Sequence, residues 1–108
     1  MELKQVAYFL KVAEMGNFLA AAEELYISQS SLSKQIIALE KELDCVLFDR
    51  SRRKIALTPA GEAFLDYARP LFQTYQTMLS GMAQYKITPA LNIVAIPVIA
   101  QYGIPAYL

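Results

Sequence analysis

The chain has 108 residues, a formal net charge of zero and 56% hydrophobic residues, a composition typical of a globular protein and not of a disordered one. It has no histidine and one cysteine, which excludes an internal disulfide, a Cys/His zinc site and a histidine-activated nucleophile. We therefore expect no catalytic residue, no metal and no cofactor. Cys45 is expected to be a small core residue, with a reactive thiol as the alternative.

The zero net charge conceals an uneven distribution along the chain. Residues 1–49 contain four lysines and eight acids, a balance of −4, whereas residues 50–108 contain six bases and two acids, a balance of +4. Four of those six bases lie within Arg50–Lys54. This basic cluster favours an anionic partner at one place, and a solvated loop is the alternative.

The first predicted elements are two helices. Glu2–Met15 is predicted as a helix because apolar residues recur every three or four positions. The predicted buried face consists of Leu3, Val6, Ala7, Leu10 and Ala13. Gly16 ends this helix and Asn17 caps the next, Phe18–Leu25, whose alanines allow another helix to approach closely.

A third helix is predicted over Gln29–Leu43, after a tight Tyr26-Ile27 connection and with Ser28 as its N-cap. Its inward positions are Leu32, Ile36, Leu39 and Leu43. Its outer N-terminal face presents hydrogen-bonding groups and one cation, which suit base edges and phosphates in a major groove: Gln29, Ser30, Ser33 and Lys34. The alternatives are that the serines only cap the helix and that Ser33 and Lys34 form an ordinary solvated face.

A two-stranded ribbon is predicted next, with strands at 46–48 and 54–57 and the basic cluster at the turn between them. Its guanidinium groups suit a minor groove or phosphates. Glu40, Glu42 and Asp44, around the end of the third helix, are interpreted as surface ion pairs with Lys41 and its neighbours, and not as an active site.

A long helix is predicted from Thr58-Pro59, an N-cap followed by proline at the first helical position, to about Tyr85. Pro70 is expected to kink it or loosen one turn. Its apolar residues recur every three or four positions: Phe64, Tyr67, Leu71, Tyr75, Met78 and Met82. Because the preceding domain is too small to cover them, we predict that this helix forms a dimer. The alternative is that the C-terminal segment folds over these residues.

Neither end of the chain predicts a membrane or export segment. Met1–Val12 contains Glu2, Lys4 and Lys11, so no apolar signal core develops. Residues 87–108 are uncharged but are interrupted by three prolines, which favours a buried strand at Leu91–Ile96 over a membrane span. The expected location is the cytoplasm.

These elements predict a mainly α fold, a winged helix-turn-helix of three helices and a two-stranded β-wing followed by a long dimerisation helix. The expected divisions are 1–58 for the DNA-binding domain, 59–86 for the linker and dimerisation helix, and 87–108 for a linker and a buried strand. The predicted function is sequence-specific DNA binding. The alternative is a helix-turn-helix module that serves protein interaction or dimerisation without DNA.

The chain resembles the N-terminal DNA-binding region of LysR-type transcriptional regulators. The resemblance rests on the continuous stretch 21–36, on Leu39-Glu40 and Glu42-Leu43, and on the segments 47–50 and 57–62. It implies a homodimer, or a tetramer in the full-length form, that binds an interrupted palindrome in promoter DNA in the bacterial cytosol. It further implies that Gln29, Ser30, Ser33 and Lys34 contact DNA from the recognition helix, and Arg52 and Arg53 from the wing.

The resemblance also implies a small-molecule effector for a larger C-terminal domain, of which this chain is expected to hold only the first strand. Three differences from the family pattern lie in the helices. Leu19 stands where serine or threonine is usual, Ile37 and Ala38 stand where basic residues are common, and Asp44 replaces a glycine. The first two imply a weaker contribution from phosphate contacts, and the third implies a left-handed backbone tolerated by aspartate.

Overall fold

The computed structural model of the chain describes residues 1–51 and 54–87. Within them, three helices precede a two-stranded sheet and a fourth, longer helix. In chain order these are α1 (Leu3–Met15), α2 (Phe18–Leu25), α3 (Gln29–Leu43), β1 (Phe48–Asp49), β2 (Ala56–Leu57) and α4 (Pro59–Met82), followed by a 3₁₀ turn at Ala83–Tyr85. The predicted mainly α order is confirmed, and the predicted strand at Leu91–Ile96 lies outside the described residues.

The boundaries of the first helices follow from local capping. Glu2 and Gln5 form a capping box at the start of α1, and Gly16 ends that helix in the left-handed region, with φ 68°. The Asn17 side chain then accepts a hydrogen bond from the Ala20 amide at 3.0 Å. These interactions satisfy backbone groups that the helices themselves leave unpaired, so the ends are fixed by residues adjacent in sequence.

The predicted buried face of α1 is confirmed only in part, because Leu10 and Ala13 pack against the core but the buried Phe9 and Val12 were not predicted. Val6, Phe9 and Val12 are fully buried, whereas Leu3 is exposed. Phe9 determines this orientation, because its ring packs 5.1 Å from that of Phe48 and 4.8 Å from that of Phe64. The helix is therefore rotated toward an aromatic cluster built by residues far away in sequence.

The sheet is an antiparallel pair in which Phe48 lies opposite Leu57 and Asp49 opposite Ala56. Both strands are shorter than predicted. Val46, predicted to lie in the first strand, is exposed, and its carbonyl accepts the Thr58 hydroxyl instead of joining the ladder. Cys45, predicted in the core, is also exposed. The chain thus runs over the surface after α3 and is buried only from Leu47.

Helix α4 starts at Pro59, continues through Pro70 and ends three residues earlier than predicted. Met1–Gln76 forms one compact unit, which contains α1 to α3, the sheet and most of α4. A second unit begins at Thr77, and its described residues comprise the end of α4 and the 3₁₀ turn. Within residues 1–51 and 54–87, no helix is long and apolar enough to cross a membrane.

Candidate nucleic-acid interface

The start of α3 is fixed by a cluster of serine hydroxyls. The Ser28 hydroxyl accepts from the Ser31 amide at 3.1 Å, donates to the Ser31 hydroxyl at 2.9 Å and lies 3.3 Å from the Ser30 hydroxyl. Ser28 is thus the N-cap, as predicted. The cap satisfies the Ser31 amide and leaves neighbouring amides at the helix start for another acceptor, such as a phosphate oxygen.

The predicted contact residues lie on the first two turns of this helix. Gln29, Ser30 and Lys34 are exposed and Ser33 is half-buried. Residues three and four positions apart lie on one helix face, so these four side chains form one polar surface. Among the ion pairs of the described residues, none involves Lys34, whose charge therefore remains for an external anion.

The inward face of α3 holds this polar surface in place. Leu32, Ile36 and Leu39 are fully buried, as predicted, and Leu43 packs at the edge of the core. Gln35 accepts a hydrogen bond from Gln5 of α1 at 3.2 Å. The recognition surface therefore stands on a helix whose opposite side is anchored in the core.

Residues 46–50, which we term the hairpin base, are bound to α3 through Glu40. One oxygen of this carboxylate, Oε2, accepts from the Leu47 amide at 2.8 Å and from the Phe48 amide at 3.3 Å. The other, Oε1, lies 3.7 Å from the Arg50 guanidinium. Interpreting Glu40 as a surface partner of Lys41 was therefore wrong, because its carboxylate is only 11% exposed and holds the hairpin base.

The start of α4 holds the same segment from the other side. The Thr58 hydroxyl donates to the Val46 carbonyl and accepts from the Gly61 amide at 2.9 Å, and the Thr58 amide donates to the Leu47 carbonyl at 3.0 Å. Gly61 approaches so closely that a Cβ atom there would lie 2.1 Å from the Leu47 oxygen. The hairpin base is thus clamped between two helices.

The basic cluster does not act as a single set of available cations. Arg50 is engaged internally, since besides its pairing with Glu40 its guanidinium lies 4.9 Å from the centre of the Phe18 ring. Lys54 is exposed. Arg52 and Arg53, predicted to contact DNA, lie outside the described residues. No part of the sequence pattern distinguished Arg50 from its neighbours, because its partners come from α2 and α3.

The predicted dimerisation residues divide into two groups. The Phe64 ring packs against Phe9 within the chain's own core, and Tyr75 is half-buried. The others are exposed: Tyr67 by 77%, Leu71 by 46%, Met78 by 53% and Met82 by 57%. These four are large apolar side chains that the described part of the chain leaves in contact with solvent.

Three comparisons with known proteins bear on this arrangement. The family described as bacterial regulatory helix-turn-helix protein, lysR family, matches residues 3–62. The HTH-type transcriptional regulator TfdS of Cupriavidus pinatubonensis (strain JMP 134 / LMG 1197) is 49% identical over 77 residues, 71% of this chain and 26% of TfdS. The uncharacterized HTH-type transcriptional regulator YxjO of Bacillus subtilis (strain 168) is 37% identical over an alignment covering 100% of this chain and 38% of YxjO.

Solved structures show the same fold. A crystal structure of the BenM DBD with catB site 1 DNA aligns with a TM-score of 0.75 and 39% identity, over 78% of this chain and 93% of that one. Full-length CbnR in complex with its target DNA aligns with a TM-score of 0.71 and 43% identity, over 77% of this chain and 29% of that one. The chain spans only 26% of TfdS and 38% of YxjO, so these curated relatives are much longer.

Proposed function

Because the chain belongs to the lysR family of bacterial regulatory helix-turn-helix proteins, we propose that it is the DNA-binding part of a transcriptional regulator. In this proposal α3 enters the major groove of an operator, with Gln29 and Ser33 reaching base edges and Ser30 and Lys34 contacting the backbone. The hairpin, with Arg52 and Arg53 at its tip, contacts the flanking DNA. The site of action is the bacterial cytoplasm.

The observation that carries this proposal is the polar surface on the first two turns of α3. Glutamine pairs in bidentate fashion with adenine, serine is compact enough to approach any base, and a free lysine neutralises phosphate. The helix is anchored by three buried residues on its opposite face: Leu32, Ile36 and Leu39. Two structurally similar proteins, the BenM DBD and CbnR, were crystallised with DNA, which supports the same role for this segment.

We further propose that the operator is an interrupted palindrome and that the protein binds it as a homodimer, through the exposed apolar residues of α4. A two-fold axis would place one α3 on each half-site. The greater length of the relatives supports a further domain in the full-length protein, with a small-molecule effector and with tetramers as a further assembly. The proposed divisions remain 1–58, 59–86 and 87–108.

Selection of bound duplexes from a random DNA pool by the 108-residue chain tests the proposal. We expect enrichment of one interrupted palindrome. Gln29→Ala should then weaken binding to the enriched duplex by about 1–3 kcal/mol and weaken binding to random duplexes much less, because it removes a base contact.

The matched control is Gln73→Ala, the same substitution at an exposed position of α4, which should leave both affinities unchanged. Equal losses on both duplexes for Gln29→Ala would make this residue a backbone contact. A pool that shows no enrichment would overturn DNA recognition and favour a protein-interaction module.

A further inference from the structure

Both oxygens of the Glu40 carboxylate contact the hairpin base. Oε2 accepts two backbone amides, those of Leu47 and Phe48, and Oε1 faces Arg50. An ionised carboxylate only accepts hydrogen bonds, and its bonds to backbone amides are stronger and shorter than neutral ones. Glu40 therefore joins α3, which carries the proposed base contacts, to the backbone of the hairpin base.

The hydrophobic core holds the side chains of Leu47 and Phe48 but supplies no hydrogen-bond acceptor for their backbone amides. Leu47 and Phe48 are buried, and the Phe48 ring lies 5.8 Å from the Phe18 ring. Neither side chain provides an acceptor for its own amide, and a buried amide without an acceptor is unfavourable. Glu40 supplies that acceptor and so ties the hairpin base to α3, while Thr58 ties the same segment to the start of α4.

Arg50 extends this link to α2. Its guanidinium lies between the Glu40 carboxylate, at 3.7 Å, and the face of the Phe18 ring, at 4.9 Å from the centroid. It is also the first cation of the cluster that leads into the hairpin tip. Although its side chain is 36% exposed, Arg50 thus connects the hairpin base to both helices of the helix-turn-helix.

We propose that Glu40 is a positioning residue that sets the orientation of the hairpin relative to α3. By fixing this orientation, Glu40 sets where the hairpin cations contact DNA relative to the base-reading side chains of α3. The inference rests on the proposed function, because it concerns how the same interface is assembled. Glu40 itself contacts no DNA in this scheme.

The test compares Glu40→Gln with Glu42→Gln in the 108-residue chain. Both remove one negative charge from the same helix, but Glu42 pairs with the Met1 ammonium at 2.6 Å and not with the hairpin base. Binding to the selected duplex is measured over a series of salt concentrations. We expect the log–log salt slope of Glu40→Gln to be shallower than that of Glu42→Gln by about 1–2 units, since each lost phosphate contact removes about 0.9 units.

A hydroxyl-radical footprint supplies the readout that a loss of stability alone would not produce. Glu40→Gln should lose protection at the flank under the hairpin and retain it in the major-groove half-site. Its preference for the selected duplex over random DNA should persist, because Gln29 is unaffected. Glu42→Gln should retain both protected regions.

Identical slopes and footprints for the two variants would overturn the inference and leave the proposed function intact. Failure of the unaltered chain to bind any duplex would overturn the proposed function, and this inference with it. Should circular dichroism show Glu40→Gln unfolded, Glu40→Asp replaces it, since it keeps the charge but is one methylene group too short to hold both amides and Arg50. Compared with the unaltered chain, Glu40→Asp should show the same shallower salt slope and the same loss of protection at the flank. Unchanged binding would again overturn the inference.

Discussion

Within residues 1–51 and 54–87, two residues other than glycine adopt the left-handed backbone conformation, and both lie at helix ends. Tyr26 follows α2 with φ 58°, and Asp44 follows α3 with φ 55°. In each, the backbone amide donates to carbonyls of the last turn, so the conformation closes the helix. The left-handed region is unfavourable for a residue with a Cβ atom, and aspartate also places a negative charge at the negative end of the helix dipole.

Replacing Asp44 with glycine should therefore stabilise the protein. We expect Asp44→Gly to raise the free energy of unfolding by about 0.5–1 kcal/mol, after allowing for the greater freedom of glycine in the unfolded chain. Chemical denaturation measures this change. Asp44→Asn separates the two causes, because it removes the charge and keeps a side chain that tolerates the conformation. A destabilised Asp44→Gly would show that the aspartate side chain makes a contribution of its own.

At the scale of elements, the hairpin base depends on close contact with the first turn of α4. Gly61 lies against the Leu47 carbonyl, and Thr58 bonds to both Val46 and Leu47. No shift of a flexible side chain relieves a clash at this point, because the neighbouring atom belongs to the backbone. The separation between α4 and the hairpin base is consequently fixed by the absence of a side chain at residue 61.

Gly61→Ala should separate these elements and destabilise the fold. We expect the free energy of unfolding to fall by about 1–3 kcal/mol, the usual effect of overpacking. Gly81→Ala is the matched control in the same helix, where the described residues place no atom within 4 Å of the new Cβ apart from its chain neighbours and the helix's own nearby backbone. It should be neutral or stabilising by up to about 1 kcal/mol, since alanine favours helix over glycine. Equal effects of the two substitutions in thermal denaturation would contradict the close contact.

Helix boundaries could be predicted from the sequence, because they depend on neighbours within a few residues: Asn17, Ser28 and Thr58 all act as the predicted caps. The full extent of the buried face of α1 could not be predicted from the sequence. Apolar residues occupy two adjacent faces of that helix, and Phe48 and Phe64, distant in sequence, select the one that carries Phe9.

The same limit applies to the candidate site. The polar face of α3 can be predicted from residue type and spacing, and the structure confirms that Gln29, Ser30 and Lys34 are exposed. The role of Glu40 could not be predicted from the sequence. Its partners are backbone amides, and their position depends on how the hairpin base folds back toward α3. An acid three residues before a helix end has the same appearance in sequence whether it faces solvent or binds an amide.

At the scale of the whole molecule, the described helix-turn-helix is acidic and α4 is apolar. Residues 1–49 have a balance of −4, whereas residues 50–108 have a balance of +4. Five large apolar side chains of α4 remain exposed: Tyr67, Leu71, Met78, Leu79 and Met82. Large apolar side chains left exposed on a protein of this size favour an interface, which supports the proposed dimer.

Leu71→Glu should dissociate that dimer, because it would bury a carboxylate without a partner. We expect this to weaken the free energy of dimerisation by about 1–3 kcal/mol, which raises the dimer dissociation constant by about 5- to 150-fold. Sedimentation equilibrium at micromolar concentration measures it, and binding to the palindrome should weaken more than binding to a single half-site. Gln73→Glu, which adds the same charge at an exposed position, is the control. A monomeric unaltered chain would refute the interface.

The way in which the hairpin is anchored has an evolutionary consequence. Among the described residues, Phe18, Glu40, Thr58 and Gly61 contact the hairpin base, and all four lie outside the tip at 51–54. Substitutions at the tip would therefore leave these four contacts in place. Divergence between paralogues in their preference for flanking DNA can then proceed independently of divergence at the half-site, and a tip grafted from one relative onto another should be accepted by the recipient scaffold.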